Sequence, residues 1–574
     1  MPAFSPSGLY GLVDMGSNGI RFSITDVGGP TARSLPTVYQ DRTGVSLYDA
    51  QYAESNTKGP IPQATIDEVV AALRRFRVVC KDFGVPETNV RVLATEATRT
   101  AVNSEDFRKQ IKDATGWEVD MLSKEMEGRI GAMGVASSFK HVEGLVMDLG
   151  GGSTQLTYLT TDSAGTTITS PIGSISFPYG AAALTQQLST LSSTQGPSAA
   201  KDDLASTIKS QFRQAYSDLQ LPESLRRLAM HHGLTLYLSG GGFRGWGFLH
   251  MSRHKVSPYP IPIINGFSIS KHAWSQTTDI EELAALAVRA EEGHGVFRVS
   301  KRRAAQVPAV AFLVNCVVEA LPFVRDVRFC QGGVREGFLY DSLPPAVKMQ
   351  DPLCAATSVL GPEDAGRIAE VLCASLPGKC YLDRQVPAVF SMEICRAIAD
   401  CMYLGSSHTK ETRSLNALMM PLTGALAGVH GVGHSERAVL ALALRRRWDG
   451  EVPKPWDEVV DRLRGVLSPQ EGWWAEYLGV VAGLLGEVYP AGRVGTKARL
   501  KVASQWAEGL GKKGLYQGVR VRLRGREGEE VLKRETLTAL VEGWEKVGKK
   551  KHWVRGFGVP VEVDIELVPM DEGL

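Results

Sequence analysis

The chain has 574 residues, of which 43% are hydrophobic and 22% charged, with a formal net charge of +2. This composition is typical of a globular protein with a large core and excludes a disordered chain, and the charge is too small to indicate a nucleic acid or an acidic membrane as partner. No signal-peptide pattern and no uncharged apolar run of membrane-spanning length occur, and the eight cysteines form no C-x-x-C pair. We therefore expect free thiols, no membrane, and a location in the cytoplasm, with the nucleus as a second location.

Two stretches near the start and the middle of the first half follow one pattern. Residues 9–26, "LYGLVDMGSNGIRFSITD", and 144–159, "GLVMDLGGGSTQLTYL", both predict a strand that ends in aspartate, a glycine-rich turn and a second strand. A helix would follow the turn in a P-loop or a dinucleotide fold, and neither continuation has helical periodicity. The pattern therefore indicates an internal duplication of one unit.

Between and after the two turns, strands alternate with helices, which predicts an α/β domain. The patterns favour helices at 62–83, 104–114, 124–138 and 201–218 and a strand at 90–95. A Ser/Thr/Gln-rich stretch, "LTQQLSTLSSTQGPSAAKDD" (184–203), is expected to contain an exposed loop at its middle. "LTLYLSGGGFRGWGF" and "VRDVRFCQGGVREGFLYD" each repeat the passage from strand to glycines.

The rest of the chain differs in character. Residues 353–490 are mostly helical by pattern, and "GVRVRLRGREGEE" and "VPVEVDIELVP" alternate strictly, with a helix at 536–547 between them. We expect these two strands to pair antiparallel through arginines facing acids, which accounts for the C-terminal basic clusters more simply than nucleic-acid binding. The predicted domains are 1–140, 141–346, 347–490 and 491–574.

Two similar subdomains would face each other across a cleft. Amide groups of glycine turns form a concave anion nest, and Asp14 and Asp148 would lie on either side of it. Two carboxylates suffice for a magnesium–phosphate complex, because Mg²⁺ keeps several of its waters. The turns therefore predict a phosphate site, for which simple hairpins are the alternative.

Six pieces in order make a resemblance specific: "VDMGSNGIRFSI", "VLATEATRTAVNSEDF", "LSKEMEGRIGAMGV", "VMDLGGGSTQL", "LYLSGGGF" and "GGVREGFL". The chain resembles the exopolyphosphatase/guanosine pentaphosphate phosphatase family. The resemblance implies a duplicated actin/Hsp70/sugar-kinase-like (ribonuclease H-like) two-lobed α/β fold, followed by a mainly helical domain and a small C-terminal α+β part. The extended C-terminal part is similar to a fungal subgroup known for signalling mitochondrial dysfunction to nuclear metabolic genes.

The resemblance also implies roles for individual residues. Glu127 would orient and deprotonate the attacking water, Glu125 would face elsewhere, and Asp14 and Asp148 would hold Mg²⁺. Polyphosphate or a nucleotide polyphosphate would bind in the cleft. The phosphate-binding residues implied are Gly16, Ser17, Asn18, Arg21, Thr95, Arg99, Gly150, Gly151, Gly152, Ser153 and Thr154, with Gly240, Gly241 and Gly242 for a nucleotide or a distal phosphate.

Two departures from the family pattern bear on hydrolysis. Gln155 stands where the family usually has glutamate, and Gly19 where a serine is common. The first removes a negative charge near the metal and the second a hydroxyl donor, and either loss could slow turnover about 10- to 100-fold. The sequence leaves two functions open, a hydrolase and a regulator that only binds its ligand and acts through a protein partner. A sugar-kinase activity is disfavoured because no sugar-binding cluster is seen. A homodimer is implied by the resemblance alone.

One histidine pair is ambiguous. "AGVHGVGHSERAVLALALRRRW" is similar to the HD-like helical domain of longer family members, but the H-D pair itself is absent. His430 and His434 would share a face only if their glycine-rich segment were helical. We therefore expect a non-catalytic domain.

Overall fold

The computed structural model describes residues 8–17, 19–52, 58–162, 166–193, 197–291, 295–378, 385–511, 514–526 and 534–569. The chain divides into two compact units, which are treated one at a time. The first unit consists of Met1–Lys255, Ile264–Pro352 and His430–Val432, and the second of Val256–Ile263, Leu353–Val429 and Gly433–Leu574. The four-part division by sequence stays a prediction.

The first unit begins with a five-stranded sheet. Its strands are β1 (Leu9–Gly16), β2 (Gly19–Asp26), β3 (Thr37–Thr43), β4 (Val90–Ala94) and β5 (Val119–Met121), in the order β3-β2-β1-β4-β5. The helices of this lobe are α1 (Leu47–Gln51), α2 (Gln63–Asp82), α3 (Glu96–Arg99), α4 (Ser104–Thr115) and α5 (Lys124–Ser137), with 3-10 turns at Ala32–Ser34 and Glu87–Asn89. Period-2 alternation along β1 sends Val13 and Met15 to the face covered by α2 and Tyr10 and Leu12 to the other.

The second lobe of this unit contains a seven-stranded sheet. Its strands are β6 (Glu143–Leu149), β7 (Thr154–Thr161), β8 (Thr167–Thr169), β9 (Ile175–Phe177), β10 (Leu234–Ser239), β11 (Ser268–Ser270) and β12 (Val324–Phe329). The helices are α6 (Ala181–Ser192), α7 (Pro197–Asp218), α8 (Glu223–His231), α9 (Gly240–Ser252), α10 (Lys271–Trp274), α11 (Thr277–Arg289), α12 (Lys301–Ala305), α13 (Val307–Ala320), α14 (Val334–Ser342) and α15 (Pro345–Lys348).

Strand order confirms the predicted duplication. The second sheet runs β11-β12-β10-β6-β7-β8, with β9 also paired to β7. When β9 and the edge strand β11 are left out, the strands of the second lobe have the same order as those of the first, 3-2-1-4-5 counted from the first strand of each lobe. In both, the first two strands form an antiparallel hairpin and the fourth lies parallel to the first. The fold is the duplicated two-lobed α/β fold expected from the sequence.

Helices α5 and α14 pack against each other with almost no separation. A Cβ on Gly337 would collide with the carbonyl oxygen of Ile130, and one on Gly134 with the carbonyl oxygen of Gly333. The two helices share an apolar cluster with Tyr10 and Leu12 of the first sheet and Val146, Leu159 and Tyr237 of the second. Glycine at these positions therefore lets one helix pair serve the cores of both lobes.

Most helices of this unit lie where the patterns predict them. The Ser/Thr/Gln-rich stretch is helical on both flanks, in α6 and α7, and 194–196 at its middle lie outside the described residues. Most of the apolar run at 307–324 forms the buried helix α13, which ends at Ala320. No helix within the described ranges combines the length and the apolar character that crossing a bilayer requires.

The second unit is mainly helical and ends in a small sheet. Trp473, Trp474 and Trp544 are fully buried in its core, and the carboxylate of Glu476 is buried against Arg445 and Arg464. Its elements are α16 (Pro352–Thr357), α17 (Ala365–Ala374), α18 (Met392–Cys401), α19 (Lys410–Met419), α20 (His434–Arg447), α21 (Trp456–Val466), α22 (Pro469–Val488), β13 (Leu500–Leu510), β14 (Tyr516–Arg526), α23 (Arg534–Val547), a 3-10 turn at Lys550–His552, and β15 (Val561–Val568).

The expected antiparallel pairing of the two alternating C-terminal strands is wrong. Strand β14 pairs antiparallel with β13 and parallel with β15. The reason is the intervening α23, since a helical crossover returns the chain to the end of the sheet where the first strand began. The predicted ion pairs nevertheless form, between Arg520 and Glu562 and between Arg524 and Glu566.

Other residues singled out in the sequence are structurally ordinary. His434 is the first residue of α20 and His430 precedes that helix, so the two histidines do not share a helix face. The seven described cysteines are free thiols, and Cys380 lies outside the described residues. Neither set indicates a metal site.

Candidate functional site

Both glycine turns open onto one cavity of about 200 Å³ in the first unit. Of the residues named from the sequence, the cavity is lined by Asp14, Gly16, Ser17, Arg21, Thr95, Glu127, Asp148, Gly150, Gly151, Gly152, Ser153, Gly240, Gly241 and Gly242. Gly19 and Gln155, the two departures from the family pattern, line it as well. Asn18 lies outside the described residues.

The second turn is oriented by the helix that follows it. The carbonyl oxygens of Gly150, Gly151 and Gly152 accept hydrogen bonds from the amides of 180–183, at the N-terminus of α6. In a planar trans peptide the N–H points opposite to the C=O, so the amides that follow these carbonyls point away from α6. The structure therefore gives this turn the amide orientation that an anion nest requires.

Gly180 makes this arrangement possible and was missed in the sequence. A Cβ there would collide with the backbone of Gly151 and Gly152. The only local signal is a glycine before a helix, which is common at N-caps and carries little information.

The first turn is held in a similar way. The carbonyl oxygen of Ser17 accepts from the amide of Tyr48 at 2.9 Å and from the hydroxyl of Ser46 at 3.3 Å. Both donors belong to the start of α1, whose N-cap is Ser46. Each turn thus has its carbonyl groups fixed by the N-terminal end of a helix.

Asp14 is buried and Asp148 is half-buried, and the two aspartates have different partners. Asp14 faces Arg21 across the hairpin at 3.7 Å, and Asp148 accepts a 2.6 Å hydrogen bond from the hydroxyl of Ser239. Burial raises the pKa of Asp14, although Arg21 opposes the rise. Burial also raises the pKa of Asp148, opposed by the hydrogen bond from Ser239 and by Arg21. A bound cation would relieve the cost of keeping both groups charged.

Glu127 lies in the first turn of α5 with its carboxylate turned into the cavity. Burial raises its pKa to about 7; Arg99 opposes the rise, while Asp148 and Glu96 add to it. Glu125, two residues earlier, is exposed, so the two acids do face different directions as expected. A carboxyl group with a pKa near neutrality can both accept and release a proton, as general acid–base chemistry requires.

Arg99 and Thr154 are predicted phosphate ligands that do not line this cavity. Both terminal nitrogens of Arg99 lie 3.3 Å from the Glu127 carboxylate, and one also donates to the Leu122 carbonyl. The hydroxyl of Thr154 donates to the Tyr179 carbonyl at 2.8 Å. In this conformation Arg99 positions Glu127, and a phosphate role for either residue stays a prediction.

The third glycine run closes the cavity from the second sheet. Gly240 has φ of +88° and begins α9, where a Cβ would collide with the backbone of Leu149. Gly242 lies against the Leu149 side chain. The N-terminus of this 13-residue helix is thereby brought to the cavity, where its dipole favours an anion.

Several arginines of the cavity wall were missed. Arg42, Arg244, Arg302 and Arg303 line it together with Arg21. Arg244 lies two residues after the glycine run in "LSGGGFRG", so its position was a usable signal. The other three lie on β3 and α12, which carry no phosphate motif, and only the tertiary fold brings them here.

The two aspartates of the cavity suit a magnesium ion that is bound as a complex with phosphate. Mg²⁺ is usually held by one or two carboxylates together with substrate phosphates, and Asp14 and Asp148 supply that number. Within the described ranges, no three His, Cys, Asp or Glu side chains are grouped so as to hold a metal by themselves. The donor set therefore suits a metal–phosphate complex better than a free ion.

Comparison with known proteins agrees with this geometry. Residues 27–346 match the Ppx/GppA phosphatase family. The chain belongs to the Ppx/GppA phosphatase family. Residues 351–568 match the RTG2 C-terminal domain. The resemblance found in the sequence is thus confirmed.

Two relatives of this chain match it over very different lengths. Retrograde regulation protein 2 of Saccharomyces cerevisiae is 37% identical over 501 residues, which cover 85% of this chain and 82% of that protein. A bifunctional 3-dehydroquinate synthase/phosphatase of Fusobacterium nucleatum is 29% identical over 150 residues, 25% of this chain and 22% of that protein.

Solved structures of the family match somewhat more than half of the chain. The Aquifex aeolicus Ppx/GppA family member is 22% identical and covers 58% of this chain and 96% of its own, with a TM-score of 0.44. An exopolyphosphatase from Cytophaga hutchinsonii is 19% identical and covers 59% of this chain and 99% of its own, also with a TM-score of 0.44.

Proposed function

We propose that this chain is a phosphatase-fold regulator that binds a polyphosphate or a nucleotide polyphosphate with Mg²⁺ in the cavity of the first unit. The observation that carries the proposal is that both glycine turns, Asp14, Asp148 and Glu127 line the same cavity. Amide nests suit phosphate oxygens and carboxylates suit the metal, so the two sets together match a metal–phosphate ligand.

We further propose that slow hydrolysis of the terminal phosphoanhydride accompanies binding. Glu127 would accept a proton from the attacking water, and Arg99 would hold its carboxylate in place. When bound, Mg²⁺ would neutralise charge on the phosphate oxygens. Turnover is expected to be slow because Gln155 offers a neutral amide, and not a carboxylate, to help hold the metal. That amide already donates to the Ser153 hydroxyl at 2.9 Å.

The regulatory part of the proposal rests on the relative. A ligand that binds a closed form of the two lobes better than an open form shifts the population toward it, and a protein partner could sense that shift. By likeness to retrograde regulation protein 2, the partner would act in signalling from mitochondria to nuclear genes, in the cytoplasm or nucleus.

One experiment tests binding and hydrolysis together. Titration calorimetry with tripolyphosphate, ATP and GTP, with Mg²⁺ and with EDTA, measures binding, and orthophosphate release is followed on the same samples. We expect binding that Mg²⁺ strengthens and a slow release that Glu127→Gln lowers at least about 100-fold, the usual size of a general-base contribution. The matched control is Glu125→Gln, an exposed acid on the same helical turn.

The outcomes separate the possibilities. No binding of any of these ligands would contradict the whole proposal. Binding with release that does not depend on Glu127 would remove the hydrolytic part. A fully active exopolyphosphatase or guanosine pentaphosphate phosphohydrolase is the second candidate, favoured by the Glu127 pKa near 7, and rapid turnover would establish it.

A further inference from the structure

Two thiols of the second unit, Cys373 and Cys395, contact each other across a pair of packed helices. The Cys395 thiol donates a hydrogen bond to the sulfur of Cys373. Cys373 lies near the C-terminal end of α17, and Cys395 lies in the first turn of α18. Sulfur atoms in hydrogen-bond contact need only a small approach to reach the disulfide bond length of about 2 Å. The fold thus brings together two groups that can be joined covalently.

The packing of α17 on α18 leads to the same contact. A Cβ on Gly361, shortly before α17, would lie 2.9 Å from the Cα of Asp400, near the end of α18. A Cβ on Gly366, in the first turn of α17, would lie 3.2 Å from Nη1 of Arg396. Positions that rise along the first helix therefore meet positions that fall along the second, as in an antiparallel pair. The two cysteines meet at the far end of this series.

The two thiols differ in access and in acidity. Cys395 is fully buried and Cys373 is half-buried, so a small oxidant reaches Cys373 first. The hydrogen bond from Cys395 lowers the pKa of the Cys373 thiol to about 6, although burial and the Glu393 carboxylate oppose the change. The bond that it donates and burial raise the pKa of Cys395. Cys373 is therefore mostly thiolate at neutral pH, the reactive form of cysteine, and Cys395 keeps its proton.

We propose that Cys373 and Cys395 form a reversible oxidation site, at which Cys373 reacts with a hydroperoxide and Cys395 closes a disulfide bond between α17 and α18. The inference goes beyond the proposed function and does not depend on the phosphate ligand. Free thiols are the resting state of such a site, because disulfides in a reducing compartment are usually transient and redox-sensing. An oxidant is thereby a second input to the chain, received in the second unit.

The reaction has two steps. The Cys373 thiolate first attacks one oxygen of hydrogen peroxide, so that an S–O bond forms, the O–O bond breaks, and the leaving hydroxide takes up a proton to become water. The Cys395 sulfur then attacks the sulfenic sulfur of Cys373, so that the S–S bond forms and the S–O bond breaks. The hydroxyl group leaves as water with the proton of the Cys395 thiol. Together the two thiols lose two electrons and two protons, and the peroxide is reduced to two water molecules.

Mass spectrometry of the full-length protein tests the site, because trypsin separates the cysteines concerned. Cleavage after lysine and arginine places Cys373 in peptide 368–379, Cys380 in 380–384 and Cys395 in 385–396. The protein is treated with hydrogen peroxide at neutral pH, alkylated, and digested without reduction. We expect peptide 368–379 joined to 385–396, with a mass two hydrogen atoms below the sum of the two. Dithiothreitol added before alkylation should restore both free thiols by exchange.

Three variants separate the roles of the thiols. Cys373→Ser should abolish the joined peptide and leave the buried Cys395 unoxidised. Cys395→Ser removes the second thiol, so the sulfenic acid of Cys373 should persist and be trapped by dimedone. The matched control is Cys354→Ser, which should leave the yield of joined peptide unchanged. Cys354 is also half-buried, and its Sγ donates to the carbonyl oxygen of Glu393 at 3.5 Å, beside the same end of α18.

Three outcomes would overturn the proposal. The exposed Met392 lies in peptide 385–396, and its oxidation while both thiols stay free would show that the pair does not react. A bond from Cys373 to Cys354 or Cys380 would show that Cys395 is not its partner. Equal yields of joined peptide from native and from urea-unfolded protein would mean that the packing of α17 on α18 does not direct the bond. Each outcome leaves the proposed function untouched, because no phosphate ligand enters the test.

Discussion

The two glycine turns occupy equivalent places in the two lobes, and what stands opposite each aspartate differs. Asp14 pairs across its hairpin with Arg21, and Asp148 pairs across its own with Gln155. In each lobe the two partners are seven positions apart in the chain. One lobe thus places a cation where the other places a neutral amide.

This difference shows how a symmetric frame can hold an asymmetric ligand. Arg21 offsets the charge of Asp14, so the first turn favours phosphate oxygens. Asp148 also feels the charge of Arg21, but Arg21 forms its ion pair with Asp14. The neighbours of Asp148 are a hydroxyl donor, a neutral amide and Glu127, so the second turn gathers more negative charge than the first. We infer that Mg²⁺ is held chiefly at the second turn and the phosphate chain extends toward the first.

The largest effect is expected from neutralising Glu127, which adds to the negative charge of the second turn. Its pKa is raised from 4.5 to about 7, so it favours the folded state below pH 4.5, and that contribution is lost as the pH rises through 7. The loss is about 3 kcal/mol in the free energy of unfolding. Glu127→Gln should therefore show a flatter pH dependence, measured by urea unfolding between pH 4 and 8.

Glu125→Gln serves as control and should keep the wild-type fall in stability over this range. If the Glu127→Gln and wild-type curves run parallel between pH 4 and 8, burial beside the second turn does not raise the pKa of Glu127, and the prediction is wrong.

The next effect distinguishes the two aspartates directly. In Mg²⁺, Asp148→Asn should weaken tripolyphosphate binding by about 2 kcal/mol, roughly 30-fold, because a ligand of the metal becomes neutral. Asp14→Asn should cost much less, because Arg21 already offsets its charge. Calorimetry with and without Mg²⁺ measures both, and the Asp148 loss should vanish in EDTA. Equal losses in the two variants would show that the metal is shared evenly.

A smaller change should sharpen the contrast further. Gln155→Glu places a second carboxylate opposite Asp148 and should strengthen the dependence of binding on Mg²⁺ about tenfold, since one additional ion contact is worth about 1.4 kcal/mol. Phosphate release should rise with it. Arg21→Gln is the equivalent change in the first lobe, and a similar gain of Mg²⁺ dependence there would contradict the assignment of the metal to the second turn.

The smallest effect is expected at Ser239. Its hydroxyl donates to Asp148, and Ser239→Ala should leave that carboxylate harder to ionise and weaken Mg²⁺-dependent binding about threefold, near the low end of a hydrogen bond's worth. The pH at which Mg²⁺ binding is half-lost should move upward. An unchanged midpoint would mean that Ser239 does not tune Asp148.

Much of this site was predictable from short-range pattern. Asp14, Asp148 and their turns stood out because each strand, turn and strand is contiguous in sequence, and the six family pieces located Glu127. Of the arginines in the cavity wall, Arg244 had a local signal in the glycine run before it. Arg42 and Arg303 were not predictable, because they lie on elements without a phosphate motif and only tertiary packing brings them to the cavity. Arg99 shows a further limit, since a motif identifies a residue without showing that its guanidinium contacts Glu127.

The C-terminal sheet makes the same point about direction. Alternation in β14 and β15 predicted the strands and their ion pairs, and both exist. Alternation is identical for parallel and antiparallel strands, so it contains no information on their relative direction. The length of the connection does, and α23 decided it.

The glycine contact between α5 and α14 has a consequence for how substitutions far from the cavity act on the site. Gly337 has no side chain and does not line the cavity, yet a single methyl group there would collide with the backbone of Ile130, one turn from Glu127 on the same helix. The carboxylate would be displaced although every residue of the cavity kept its identity. A glycine with only a packing role thus determines the orientation of the Glu127 carboxylate. The loss of activity caused by a substitution there would be mistaken for a folding defect.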